Sequence, residues 1–508
     1  MSLVRYWQLN TRPRWGQLVL AAVAVILGLA IARLPLLWGG ILLIASILVI
    51  LAVVDPLNGL VITLILGPSK PLTDYFVPQL PLDLGQIALL ITLGSWFLHA
   101  VSHRKQQLPA TPFTLPLLGF LGIGILSALE ALSIGFAGKE LIKWSQLLIM
   151  IWLVIDLAGA RRWRVVVGAV LAAAAIEGLI GVWQFGIRGD GPETFLILGD
   201  RFYRAYGTFE QPNPYGGFIG MILSLSIGLT LGAVEAWLKP AINQWKDNPH
   251  SRWVHLFRKL KSRSYLLVLG FALLTTLLGI ALMMSWSRGA WLGFAVAAIV
   301  LVFAWPRKTW IGAALVISAV VVGILALRSG LLPASIEDRA TGFSEFLQSF
   351  DVRGVDINDA NYAVLERLAH WQAAESMAQY HFWLGVGIGN YEPVYPAYRL
   401  LNWEQPLGHA HNIYLNTLAE MGIIGLIAYV GLWTVIFWQT WRITCGMDLW
   451  MRSTAVGLMG TWTHLSVHNF IDKLYVANIH LHIGALLGVL SIFIALQEKG
   501  KQISDGND

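Results

Sequence analysis

Over 508 residues, 56% of the chain is hydrophobic and only 13% is charged, with a mean hydropathy of +0.64. That balance excludes an ordinary soluble domain, and the net charge of +6 is accounted for by anionic membrane lipid with no nucleic-acid partner. The single cysteine, Cys445, excludes an internal disulfide framework and a CxxC metal site.

Apolar windows recur from end to end, and crossing about 30 Å of hydrocarbon takes roughly 20 helical residues. The expected fold class is an all-α polytopic membrane protein with about 12–14 transmembrane helices. Arg5, Arg12 and Arg14 precede an apolar run from Leu18 to Leu29, which reads as an uncleaved first span over 16–34. Further spans are expected at 36–54, 56–68, 83–101, 113–132, 139–158, 163–187 and 215–236, then at 265–286, 289–305 and 309–327. The last three are expected at 411–440, 450–471 and 475–496. Span 56–68 is short, because Asp55-Pro56 breaks the preceding helix and Gly67-Pro68 ends the run, so a re-entrant segment is the alternative.

Lysine and arginine clusters mark cytoplasmic loops. They occur at the N-terminus, Arg104-Lys105, Arg161 to Arg164, Lys239 to Arg263, Arg307-Lys308, Arg442 with Arg452, and Lys499 with Lys501. With fourteen crossings every cluster falls on one side, which puts both termini in the cytoplasm.

The opposite face carries residues 188–214, the turn at Arg288 and the long segment 328–410. A connection of that length is a candidate for function. Leu365, Leu368, Trp371 and Ala374 recur at helical spacing, so an amphipathic helix is expected within 360–379. Gly385, Gly387 and Gly389 follow in a turn-rich stretch; no strand precedes them, which argues against a dinucleotide loop.

Three groups distant in sequence share that face. The first, GDRFYRAYGTFEQPNPYGG from Gly199, contains Arg201, Arg204 and Asn213; the second, SWSRGAWLG, sets Arg288 in a turn between spans; the third holds His409, His411 and Asn412. A guanidinium presents a planar fork that matches phosphate oxygens, so Arg204 and Arg288 are candidates for a pyrophosphate, the alternatives being an ion pair with Glu210 or Asp200 and a headgroup anchor. At a helix start the unpaired N–H groups disfavour imidazolium, so His411 suits a general base, or else caps its helix. Glu420 reads as a structural tie, Lys143 as a lipid-phosphate contact or an outward-reaching anchor, and Glu177 with Gln184 as a polar seam. His464, His468, His480 and His482 lack a metal-binding pattern, and neither a metal nor any other cofactor is expected.

The spacing of His411, Asn412, Gly422 and Gly425 resembles the signature of the O-antigen ligase and polymerase family. RAYGTFEQPNPYGG, SWSRGAWLG, ERLAHWQAAESMAQYHFWLGVGIGNY with Arg367, and HNFID from His468 resemble its other blocks in the same order, with Gln211 standing where that family often has asparagine. The resemblance divides the chain into an N-terminal bundle (1–194), the family-like region (195–475, containing loop 328–410) and a last helix with its tail (476–508). It implies a bacterial inner-membrane glycosyltransferase that moves a glycan from an undecaprenyl-pyrophosphate carrier to a glycan or lipid acceptor without a metal ion. Carried over, His411 activates the acceptor hydroxyl, and Arg204 and Arg288 hold the pyrophosphate, with Arg201, Asn213, Arg367, His409 and Asn412 as further substrate contacts. One branch resembling the family carries the label of an inorganic-carbon transporter, which makes bicarbonate transport the alternative; no internal repeat of the transporter kind is evident.

Overall fold

A computed structural model of the chain describes residues 35–70, 82–102, 108–199, 201–247, 263–328, 351–358 and 361–505, together with residue 73 and scattered positions between 22 and 33. Most of the expected first span and of the basic 239–263 segment lie outside the described residues.

The described chain is helical apart from one small hairpin. In order the helices are α1 (Leu36–Val54), α2 (Pro56–Leu66), α3 (Leu84–Ser102), α4 (Thr114–Ser127), α5 (Ile134–Leu157) and α6 (Gly159–Trp183). After the antiparallel pair β1 (Leu196–Ile197) and β2 (Phe202–Tyr203) come α7 (Pro212–Asp247), α8 (Arg263–Met284), α9 (Arg288–Ala304) and α10 (Thr309–Arg328). The remainder are α11 (Tyr362–Tyr380), α12 (Tyr391–Tyr398), α13 (Ile413–Thr444), α14 (Leu449–His468) and α15 (Ile479–Asp505). Among the described residues six helices are long and apolar enough to cross a membrane, and five shorter apolar ones accompany them, among them 56–69. The protein is an all-α, multi-pass membrane protein.

Asp55 breaks α1 from α2 as expected. Its carboxylate accepts from Leu57 N at 3.0 Å and pairs with Arg162 at 2.6 Å, while Pro56 occupies the first helical position, where no N–H is needed. Helix α15 is the most deeply buried of the long apolar helices, and α7, the next, packs against α8, α9 and α14. Gly228 and Gly457 let the backbones of α7 and α14 approach so closely that a side chain on either would strike the partner. Thr461 Oγ1 then donates across the same contact to Met221 O at 2.8 Å.

The helix carrying the histidine motif departs from expectation. A straight span over 411–440 is not what forms: the helix begins at Ile413 and breaks at Gly422, whose φ of 64° and ψ of −168° suit glycine alone. Tyr414 and Tyr429 have ring centroids 5.8 Å apart, whereas fifteen residues of straight helix span about 22 Å, so the chain turns sharply between them. The 381–390 segment fills the break. Ile423 N donates to Phe382 O at 2.8 Å and Val386 N to Ala419 O at 2.9 Å, replacing bonds that the helix has lost. Gly385, Gly387 and Gly389, all at positive φ, lie flat against Glu420, Ala131 and Phe136, where a side chain would meet backbone. This close packing explains the glycine spacing.

The amphipathic helix forms as expected. α11 buries Val364, Leu365, Leu368, Ala369, Ala373 and Met377 along one face, and Ile471 of the α14–α15 loop packs against the first part of it.

Candidate active site

The arginine side is built on the loop between β2 and α7. Gln184, in a π-helical turn that ends α6, accepts from Tyr206 N at 3.1 Å and Gly207 N at 2.7 Å and donates to Gly207 O at 2.8 Å. Glu177, two turns earlier, accepts from Thr208 N at 2.9 Å and Thr208 Oγ1 at 2.7 Å. The expected polar seam is thus a clamp on the RAYGT loop. Gly207, at a φ of 55°, is required there because a side chain would strike Glu177 and Tyr215.

Held in this way, Arg204 donates from Nε to Ser285 O at 3.0 Å and from Nη2 to Asn213 Oδ1 at 3.1 Å. Ser287 Oγ donates to the same Asn213 oxygen at 2.9 Å, so Asn213 joins two of the sequence motifs. Ser287 also caps α9, and Arg288 is its first residue, half-buried. A cation in the first turn opposes the helix dipole, so helix stability does not account for Arg288. Arg201 stands exposed in the β1–β2 turn, away from this arrangement.

The histidine side is built at the start of α13. Asn412 Oδ1 accepts from Tyr414 N at 2.9 Å and Leu415 N at 3.1 Å, so this amide is the N-cap. His411, just before it, is held at a φ of 50°, an uncommon backbone for a residue with a side chain. Its Nδ1 lies 3.5 Å from Asp472 Oδ1, and His409 Nε2 lies 3.9 Å from the same oxygen. Neither ring nitrogen of His411 has a hydrogen-bond partner among the described residues. His370 lies edge-on to it, ring centroids 5.7 Å apart, stacked on Tyr395 and bonded through Nδ1 to Tyr391 Oη at 2.8 Å.

Electrostatics follow from burial and the shared carboxylate. Burial works to raise Asp472, but the close approach of His411, then of His409 and His468, outweighs it and holds the carboxyl well below the usual range. Burial, followed by the neighbouring His411, pushes His409 well below an ordinary imidazole despite Asp472. The same two causes bring His370 down to about 4.

His409, His411 and Asp472 offer three ligating atoms within 4.8 Å of one another, and these are the residues that could hold a metal. The fit is poor. His411 N donates to His409 Nδ1 at 3.0 Å, so the His409 proton sits on Nε2, the nitrogen facing Asp472. The trio is better described as one carboxylate facing two imidazole edges.

The two sides meet through the end of α14 and the loop after it. The His468 ring fills the space that Gly289 and Gly217 leave open, Asn469 O accepts from Ile413 N at 2.9 Å, and His468 O accepts from Asp472 N at 3.1 Å. Arg288, His468, Asp472 and His411 therefore belong to one contiguous set of contacts. Arg367, on α11, donates to Ala363 O at 3.1 Å and lies within electrostatic reach of His468.

Sequence reasoning placed His411, Arg204 and Arg288 but assigned no role to Asp472, His370 or Lys473. The HNFID motif held the signal, five residues from His468 to Asp472, with no local reason to pair that carboxylate with His411. The other histidines disperse: His480 Nε2 contacts Gln146 Oε1 at 2.8 Å and His482 Nε2 contacts Leu64 O at 2.8 Å. Lys143 pairs with Glu140 at 2.6 Å. Glu420 is the expected tie, accepting from Tyr391 N at 3.2 Å.

Residues 262–430 match the family model described as O-antigen ligase. This stretch is similar to an O-antigen ligase domain. The matched stretch includes Arg288, Arg367, His409, His411 and Asn412, while Arg204, Asn213 and Asp472 lie outside it and join the domain through the contacts above. No curated protein matches the chain. The family match covers about a third of the chain and points to membrane polysaccharide biosynthesis of the O-antigen ligase kind.

Proposed function

We propose that this protein transfers a glycan from an undecaprenyl-pyrophosphate carrier to an acceptor hydroxyl, on the extracytoplasmic face of a bacterial inner membrane with both termini in the cytoplasm. The observation that carries this reading is an imidazole, His411, that has no hydrogen-bond partner among the described residues, faces a buried carboxylate and is linked by contacts to the Arg288 turn. Asp472 favours the proton on Nδ1 of His411, which leaves the Nε2 lone pair for the acceptor hydroxyl. As Nε2 takes that proton, the acceptor oxygen bonds to the anomeric carbon. The bond from that carbon to the pyrophosphate breaks, and the electron pair leaves with the lipid pyrophosphate. Arg204 and Arg288 stabilise the charge that develops there.

The amide oxygens of Asn213 and Asn412 are engaged within the protein, so their part is to hold Arg204 and the start of α13. His409 and Arg367 contact the glycan or the acceptor, and Arg201 meets lipid phosphate at the rim. The chemistry asks for no metal ion. Ligase and polymerase share this step and differ in the acceptor, a lipid or a growing glycan.

The test replaces His411 with alanine in the native host, with membrane insertion and abundance confirmed. Surface glycan attachment or length is expected to collapse. Unchanged glycan together with lost bicarbonate uptake would overturn the proposal in favour of the transport alternative. Purified protein is expected to move glycan from the lipid pyrophosphate in the presence of a chelator.

A further inference from the structure

Behind the His411–Asp472 contact, the next residue turns the other way into a buried charge cluster. Lys473, 6% exposed, sends Nζ to 3.6 Å from Glu140 Oε1 on α5, whose other oxygen holds Lys143 at 2.6 Å. Glu420, at the break in α13, also lies within the field of Lys473. On the opposite side of the same loop, Lys473 N donates to Asp472 Oδ1 at 2.8 Å, the oxygen that faces both histidines. We infer that Lys473 is a positioning residue: its ion pair with Glu140 fixes the loop so that Asp472 is presented to His411. This rests on the functional reading above.

The physical argument begins from cost. Each ion taken out of water loses much of its solvation, and well-packed apolar residues often serve stability as well or better. A cluster of Glu140, Lys143, Lys473 and Glu420 is therefore poorly explained as a stabiliser of the bundle. It does fix geometry. A loop tethered only by apolar contacts can slide, whereas Lys473 must remain beside Glu140 or leave an uncompensated buried charge. Asn469 Oδ1 accepts from Leu474 N at 2.9 Å, so the backbone is held on both sides of Asp472 and Lys473. A displacement near 1 Å at a reacting group can cost about a hundredfold in rate, which is the scale on which this tether acts.

The experiment uses the full chain in nanodiscs, with thermal melting as the control for folding. Lys473→Met is expected to lower kcat for transfer from a lipid-pyrophosphate glycan by about tenfold to a hundredfold, with KM for the donor little changed. Glu140→Gln should lower kcat alike, the double variant should be no worse than either single one, and Lys473→Arg should recover most of the rate. A second readout does not depend on transfer. The ring 15N signals of His411, assigned by their loss in His411→Gln, should shift in Lys473→Met as Nδ1 loses Asp472, and should stay near wild type in Lys473→Arg. Wild-type His411 signals in a folded Lys473→Met protein would overturn the inference, as would unchanged kcat. Absent transfer by the wild type, accompanied by the expected 15N shift, would instead overturn the functional reading and leave the tether supported.

Discussion

Arg204 and the Ser287-Arg288 turn are fastened to the Ser285 carbonyl and the Asn213 amide, among other contacts, while His411 has a ring with no hydrogen-bond partner among the described residues, facing a carboxylate. Both regions hold a non-glycine residue in left-handed backbone, Trp286 at 51° and His411 at 50°. They differ in what they leave available. A guanidinium has five donors and can be anchored by two and still present its charge to a phosphate. A base has one useful lone pair, and any partner that takes it removes the function. The arginine side can therefore be rigid and well satisfied, and the histidine side must be rigid by other means: a capped helix, a carboxylate and stacked rings.

The contrast is broken most directly by truncation on each side. His411→Ala is expected to lower kcat by about 10²–10⁴-fold, measured at saturating lipid-linked donor, the scale for loss of a general base. Arg288→Ala is expected to cost about 10²–10³-fold, the scale for loss of one group that stabilises the leaving charge. An additive double variant would show that the two sides do not act in one step.

Next in size is Arg204→Lys. Charge is retained, but a single ammonium cannot hold Ser285 O and Asn213 Oδ1 together and still face a pyrophosphate. A loss of roughly tenfold or more is expected, with KM for the donor raised, whereas the histidine variants act mainly on kcat.

How much of this was legible in the sequence differs between the two regions. His411 and Arg288 lie in short motifs whose chemistry needs no fold to be suspected, and α11 follows from the spacing of Leu365, Leu368 and Ala374. Asp472 was present in a motif yet carried no role, because its partner lies at the start of another helix and only packing of α14 against α13, with the Ile413 N to Asn469 O bond, brings them together. The break at Gly422 was hidden for a different reason. A glycine inside an apolar run looks the same whether the helix continues or stops, and the bonds that make stopping possible come from Phe382 and Val386. Glu177 and Gln184 were visible as a pair, but the loop they clamp was not.

The histidine side also makes a prediction in pH. His370 sits at about 4 in the folded protein against an ordinary 6.5, so the unfolded chain binds the extra proton first. Stability should fall as pH drops from about 6.5 towards 4 and level off below that for this group. His370→Phe keeps a ring on Tyr395 and removes the titration, so its melting temperature should fall less than that of wild type between pH 7 and pH 5. Asp472 behaves oppositely: its contribution is present above the ordinary carboxylate range and persists to strong acid, so it adds no loss in this window. A wild-type protein as acid-tolerant as the variant would show that His370 does not couple to the fold in this way.

The smallest expected effect comes from the cap. Asn412→Ala removes the acceptor for Tyr414 N and Leu415 N, which typically costs about 1 kcal/mol, while Asn412→Asp keeps an acceptor and should cost less. Global unfolding should not follow, because Ile413 N is still held by Asn469 O and Tyr414 Oη by Ser466 O at 3.0 Å. What changes is the entry to the helix, and with it the left-handed backbone that turns the His411 ring towards Asp472. A change of about 1 kcal/mol in melting accompanied by a larger fall in kcat would tie the cap to the base. Melting and rate falling by the same free energy would leave Asn412 a cap and nothing more, and would move the burden of holding His411 onto Asp472 and the tethered loop behind it.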